Sequence, residues 1–275
     1  MKIITTLFLF VAFSSAIGQE PIEVKIQDRP SSVGVHPAFE VIVPQATRFE
    51  AIDVLKSDFL PRGLFKKNAK VKKVKDEWLV DDVLLEDITS NPLDVITQVS
   101  SFPGHIYVRF FFRGIDGFLG EPNISPQATD AALQFVRDYG VKLYRQAVES
   151  ELAEEEGQLR KLTKSLDRLS RKNNNFDDRV GDALQTQQDM DYEAVSRKME
   201  LKEAERSSYV GSEQLDDMED QLKSTEKELK KAKKEEARMK RKIRKNEKEQ
   251  RDLVLEIEKQ EEKIEQIKQK LDNIR

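Results

Sequence analysis

The side chains able to do chemistry in this chain are few. Only two histidines are present, His36 and His105, and neither sits in a metal-ligand or triad motif. The absence of cysteine excludes disulfides, thiolate metal sites, a cysteine nucleophile and a lipidated cysteine. The segment Gly114-Ile115-Asp116-Gly117-Phe118-Leu119-Gly120-Glu121-Pro122-Asn123 offers oxygen ligands and turn glycines, but it lacks the D-x-[DN]-x-[DN]-G spacing of an EF-hand. Nucleophile-elbow, P-loop and H-E-x-x-H patterns are missing as well. No catalytic, cofactor-binding or metal-ligating residue is assigned, and a non-enzymatic role is expected.

Charge is the other resource. Lys66, Lys67, Lys70, Lys72 and Lys73 form a basic run that is a candidate anion-binding patch. Lysines on an edge strand also serve a plainer purpose, blocking edge-to-edge aggregation. A second cluster, Arg238, Lys240, Arg241, Lys242, Arg244 and Lys245, suits either an anionic envelope polymer or the solvated face of a helix. The whole chain balances 47 basic against 51 acidic residues for a net charge of −4, so no nucleic-acid partner is expected.

These groups must be held by elements that fall into two regions. Residues 1–18 read as a secretory leader: Lys2, an apolar run from Ile3 to Phe13, and Ala16-Ile17-Gly18 as the small-x-small cleavage site. That run is shorter than the ~20 residues a bilayer span needs, and no later segment is long and apolar enough to cross a membrane. The expectation is therefore an exported protein, periplasmic or extracellular, of a bacterial-type envelope. All nine prolines lie at or before Pro126, and their absence afterwards is a helix signal, because an internal proline costs a helix ~3 kcal/mol. Ser125 as N-cap and Pro126 at the first helical position mark the border.

Residues 19–125 read as a small α+β head with a β-α-β-β-β order and an antiparallel sheet. His36–Val43 reads as the first strand. Thr47-Arg48-Phe49-Glu50 is a capping box opening a helix whose inner face is Phe49, Ile52, Leu55 and Phe59, stopped by Pro61 and Gly63. Strands are expected over 69–75 running into 77–85, over 93–100 and over 105–113. The run Ile106-Tyr107-Val108-Arg109-Phe110-Phe111-Phe112 is too apolar for an edge and belongs at the centre. Ala132, Phe135, Val136, Tyr139, Leu143 and Tyr144 give residues 126–150 a broad apolar face to cover the sheet.

From residue 151 to 275 the stripe narrows to two positions in seven, a coiled-coil seam. It runs through Leu152, Leu159, Leu162, Leu166, Leu169, Phe176 and Val180. In the second half it takes Leu215, Met218, Leu222, Leu229, Met239, Ile243, Asn246, Gln250, Leu253, Ile257, Ile264, Ile267, Leu271 and Ile274. Breaks are expected near 173–181 and 207–212, so a hairpin is an alternative to a continuous rod. In a parallel homodimer Glu236 would face its own copy. An antiparallel pair with its two-fold at Lys248 sets Asn246 against Gln250 and Glu236 against Gln260, so antiparallel self-association through 215–274 is favoured, with another envelope protein as a further partner. A hairpin turning near Val210 scores worse, because it opposes Glu228 to Glu193 and Lys242 to Arg179.

The function expected from this organisation is a structural or interaction protein, an α+β head carried on a self-associating stalk that acts as spacer or scaffold. A holdase chaperone working through helical arms is the alternative, and an envelope enzyme with a catalytic head is the third.

Overall fold

The computed structural model describes residues 22–59, 71–207 and 209–274. The leader, Lys66, Lys67, Lys70 and the proposed stops at Pro61 and Gly63 lie outside the described residues. The architecture is α+β, and the chain divides into two units. One holds the described residues up to Ala153 together with those from Gln266 onward; the other is Glu154–Glu265.

The first unit is built on an antiparallel sheet. Its strands are β1 (Val24–Ser31), β2 (Gly34–Pro44), β3 (Val71–Val74), β4 (Glu77–Val83), β5 (Leu93–Phe102), β6 (His105–Gly114) and the short β7 (Gly117–Phe118). The spatial order is β1-β2-β6-β5-β4-β3, with β7 pairing β6. As its composition requires, β6 is interior, with Phe110, Phe111 and Phe112 all fully buried. One strand more than expected precedes the helix. The β1 sequence VKIQDRPS carries charges and a proline, which hid its pairing with β2 from Val24↔Val41 to Ser31↔Gly34.

Helix α1 (Arg48–Phe59) opens on the expected capping box: Thr47 N–H donates to Glu50 Oε2 at 2.8 Å, and Glu50 N–H donates to Thr47 Oγ1 at 3.3 Å. Of its expected inner face Leu55 enters the core, but Phe49 and Ile52 do not. Phe49 is 79% exposed and Ile52 half-exposed, while Ala51, Val54 and Leu55 enter the core. The capping box places Phe49 in the first turn, over solvent, and the centre of the buried face formed by Ala51, Val54 and Leu55 lies about 190° round the helix from it.

Helix α2 (Pro126–Arg206) starts where Ser125 Oγ accepts the Ala128 N–H at 3.3 Å. Its first turns bury Ala132, Val136, Tyr139, Leu143, Ala147 and Val148 in one cluster with Phe39, Val41, Val108, Phe110 and Phe112 of the sheet. Gly140 is required there: a Cβ would stand 2.7 Å from Ile22 Cγ2 and 2.8 Å from Val41 Cγ2. Tyr139 Oη donates to the Ala51 carbonyl at 2.7 Å, tying α2 to α1. The same cluster takes in Ile267 and Ile274, with Leu271 packed against it, from the end of helix α3 (Ser212–Asp272). Arg145 Nη2 caps that end by donating to the Ile274 carbonyl at 3.1 Å.

The sheet's other face carries a smaller cluster of Ala38, Ile96, Phe111 and Phe118. The β1–β2 tip closes over this face. Ser32 N–H donates to Glu77 Oε1 at 3.0 Å, and Gln98 Nε2 donates to the Pro30 carbonyl at 2.9 Å. The buried Glu40 carboxylate is held by Arg109 at 2.5 Å and Arg29 at 3.4 Å.

The second unit is an antiparallel helical hairpin. Helix α2 continues unbroken through Asn173-Asn174-Asn175 and Gly181, and the chain reverses between Arg206 and Ser212 instead. Each arm of this unit is about 80 Å long at 1.5 Å per residue. From the turn outward the arms are linked by Arg197–Gln221 at 2.9 Å, Gln187–Glu236 at 2.8 Å, Arg179–Glu235 at 2.5 Å and Lys263–Glu155 at 2.5 Å.

Candidate functional site

The heptad residues Leu215, Met218, Leu222, Leu229, Met239, Ile243, Asn246, Gln250, Leu253, Ile257 and Ile264 are the buried and half-buried face of α3 within the hairpin. Ile267, Leu271 and Ile274 belong instead to the core of the first unit. The partner for the hairpin part of this seam comes from α2 of the same chain. Leu159, Leu162, Leu166, Leu169, Phe176 and Val180 are its half-buried counterpart, continued by Ala183, Gln187, Met190 and Arg197.

The register explains why the charge argument misjudged a hairpin. Lys242 lies over the Phe176 ring at 5.2 Å and not against Arg179, which is free to reach Glu235. A shift of three positions converts the expected repulsion into an ion pair. The polar seam residues of α2, which look like defects in isolation, answer those of α3. Gln187 Nε2 donates to Glu236 Oε2, and Gln260 Nε2 donates to Glu155 Oε2 at 2.6 Å. The Lys240 and Gln187 donors hold the Glu236 carboxyl below its usual range, as the Lys263 and Gln260 donors do for Glu155.

One seam region is not answered. Asn246 is only 9% exposed and its Nδ2 has no acceptor; Gln250 Nε2 and Asn173 Oδ1 are likewise buried without partners. Beside it lies an open groove of about 800 Å³, lined by Lys164, Asp167, Arg168, Arg171, Lys172, Asn175 and Phe176 of α2 with Lys242, Lys245 and Asn246 of α3. Six of these residues are cationic and one is acidic. Of the second basic cluster singled out above, only Lys242 and Lys245 line the groove; the α2 residues opposite were missed. Their signal was legible as six bases and one acid between Arg160 and Lys172.

The first basic patch behaves otherwise. Lys72 is paired with Asp81 at 2.7 Å, a hydrogen bond and charge that raise the lysine's pKa, and Lys73 lies over the Trp78 ring at 5.9 Å. Both stand on β3, at the edge of the sheet. The histidines are committed to packing. His36 stacks on Phe118 with centroids 3.8 Å apart and lies 3.4 Å from Glu121, while His105 stacks on Phe102 at 5.6 Å. In the 114–123 loop Gly120 packs against Pro37 and Ile26. Among the described residues no three His, Asp or Glu side chains gather as a metal site.

Near the turn, α2 presents a further surface. Tyr192 is 81% exposed and Met199 67% exposed, with Leu184 and Val195 also open. At 100° per residue these four fall within an arc of about 80° on the side of α2 away from the seam. Tyr209, in the turn itself, is exposed too. No family model, curated protein or solved structure matches this chain. No helix among the described residues is long and apolar enough to cross a membrane.

Proposed function

We propose that this chain is an exported, non-enzymatic interaction protein of the cell envelope, in which the α+β unit anchors both ends of a helical hairpin and the hairpin does the binding. The observation that supports this reading is the apolar arc Leu184, Tyr192, Val195 and Met199, which nothing in its own unit covers. Large apolar residues set side by side on an otherwise charged helix mark a contact surface. The proposed occupant is a second copy of the chain, making the protein a self-associating scaffold. Sedimentation velocity tests this: the wild type should dimerise at micromolar concentration, and Tyr192→Ser/Val195→Ser/Met199→Ser should be monomeric. A wild type that stays monomeric to 100 µM refutes self-association.

Pairing through 215–274 would give a different dimer, one that requires the hairpin to open. Opening the hairpin and pairing two α3 helices about Lys248 would join Asn246 to Gln250, whose amide nitrogens both lack acceptors in the hairpin.

A holdase chaperone is the second reading, favoured by the kinds of side chain near the turn. Met199, Tyr192 and Tyr209 are adaptable or amphipathic, as surfaces that accept many sequences tend to be. Suppression of aggregation of an unfolded outer-membrane protein, lost in the triple serine variant, would select this reading over the scaffold.

A further inference from the structure

The groove between Lys164–Phe176 and Lys242–Asn246 gathers positive charge that is mostly left unpaired. Away from it, several charges one turn apart pair with the opposite sign: Glu193 with Arg197, Glu219 with Lys223 and Glu236 with Lys240. Within the groove Lys164, Arg168 and Lys172 follow one another at i, i+4, all positive, and like charges at that spacing destabilise a helix. None of these three, nor Arg171, has an ion-pair partner among the described residues. On a chain of net charge −4, six cationic side chains and one acidic one converge on one concave surface, and of the six only Lys245 has an ion-pair partner among the described residues, Glu249 at 3.8 Å. A concave site lined by one sign concentrates counter-ions of the other. Among the lining residues, the nine-tenths buried Asn246 amide adds a donor without an acceptor. The neighbouring groove, lined by Gln158, Lys161, Lys259, Gln260 and Lys263, lacks this excess, because Glu256 lines it and Lys263 is spent on Glu155.

We propose that this groove is a binding site for a linear phosphate-bearing chain that carries no bases. Three features select that ligand. Lys164, Arg168 and Lys172 rise about 6 Å apiece along the helix, a ladder for a repeating anion and not a cage for a single one. Arg168 and Arg171 present planar forks that match tetrahedral oxyanions two oxygens at a time. The one aromatic residue in the groove, Phe176, is half-buried and has Lys242 over one face, which disfavours base stacking. The site is independent of the reading given to the apolar arc.

Fluorescence anisotropy with the full chain tests it, using labelled inorganic polyphosphate, polyglutamate of equal charge and a single-stranded oligodeoxynucleotide of equal charge. Polyphosphate should bind at least tenfold tighter than the other two. Its affinity should fall with salt at a log–log slope of about −4, as six contacts imply. Lys164→Gln/Arg168→Gln/Lys172→Gln should weaken binding at least tenfold and flatten the slope by about 2. Arg238→Gln/Arg241→Gln/Arg244→Gln removes the same charge outside the groove and should leave both nearly unchanged. Equal losses in the two variants would mean diffuse charge attraction and overturn the site. Tighter binding of the oligonucleotide or of polyglutamate would overturn the ligand class, and no polyphosphate binding at 50 mM salt would overturn both. Far-UV circular dichroism checks that each variant keeps its helix content.

Discussion

Three glycines inside α2 should answer the same substitution with opposite signs. Replacing a helix-interior glycine with alanine gains up to ~1 kcal/mol of propensity. At Gly157 and Gly181 nothing lies within 4 Å of the new Cβ, so that gain should be realised. At Gly140 the Cβ would sit 2.7 Å from Ile22 and 2.8 Å from Val41, about 1 Å inside the favourable carbon separation of ~3.5–4.0 Å. Val41 lies in an interior strand and is fully buried, so relief requires α2 to lift from the sheet. Overpacking of that kind costs ~1–3 kcal/mol. Less the propensity gain, Gly140→Ala should destabilise by about 1 kcal/mol, some 2 kcal/mol apart from Gly181→Ala. Urea titration resolves this: 1 kcal/mol moves a midpoint by roughly 0.3–1 M. Trp78, the single tryptophan, reports the α+β unit by its fluorescence, and ellipticity at 222 nm reports mainly the helices. A Trp78 midpoint that rises in Gly140→Ala would refute the close packing of α2 on β2.

Other substitutions probe separate elements. Thr47→Ala should cost ~1 kcal/mol through loss of the capping box. Phe49→Ser should stay within about 0.5 kcal/mol of wild type, whereas Leu55→Ala should cost ~2–5 kcal/mol, because Phe49 faces solvent and Leu55 is fully buried; the same urea assay reads all three. Burial pushes the Asp94 carboxyl up, but hydrogen bonds from Arg113 and the Asp82 N–H, with the Arg113 charge, leave its pKa below the usual value. A carboxyl whose folded pKa is depressed stabilises fully above the unfolded value of ~3.9 and loses that contribution as pH falls through the folded one. Acid titration monitored by Trp78 should thus show Asp94→Asn destabilised at pH 6 and converging on wild type near pH 2. Cysteines at Phe176 and Lys242, joined by a short bismaleimide, should crosslink within one chain and run as monomer on a denaturing gel. Predominant dimer would show that the seam pairs between copies.

Legibility in the sequence followed how local the determining physics was. The capping box at Thr47, the Ser125–Pro126 helix start and the interior place of β6 depend on a few adjacent residues, and the structure agrees with each. The face of α1 was misassigned because Phe49 has the hydrophobicity of a core residue but the position of a first-turn one. β1 was overlooked because its pairing depends on β2 and its own alternation is masked by Lys25, Asp28, Arg29 and Pro30. The reversal between Arg206 and Ser212 had a visible signal in Ser207-Ser208-Tyr209-Val210-Gly211, but its register did not. Three positions of slip decide whether Lys242 meets Arg179 or Phe176, and only the packed helices set that. The groove was half legible: α3 showed its basic run, while the opposing α2 residues acquire meaning only when the hairpin closes.

Because Ile267, Leu271 and Ile274 complete the core that begins at Ile22, the α+β unit is stitched from the two extremes of the described chain. Contacts of such separation carry a large loop-closure cost unless the intervening hairpin forms first and brings its ends together. The hairpin then acts as a folding clamp as well as an arm. A ribosome adding 5–20 residues per second needs about 6–24 s to pass from Ala153 to Ile274. Throughout that interval Ala147, Val148 and Leu152 belong to a core that lacks its last members, and a chaperone has time to act on it.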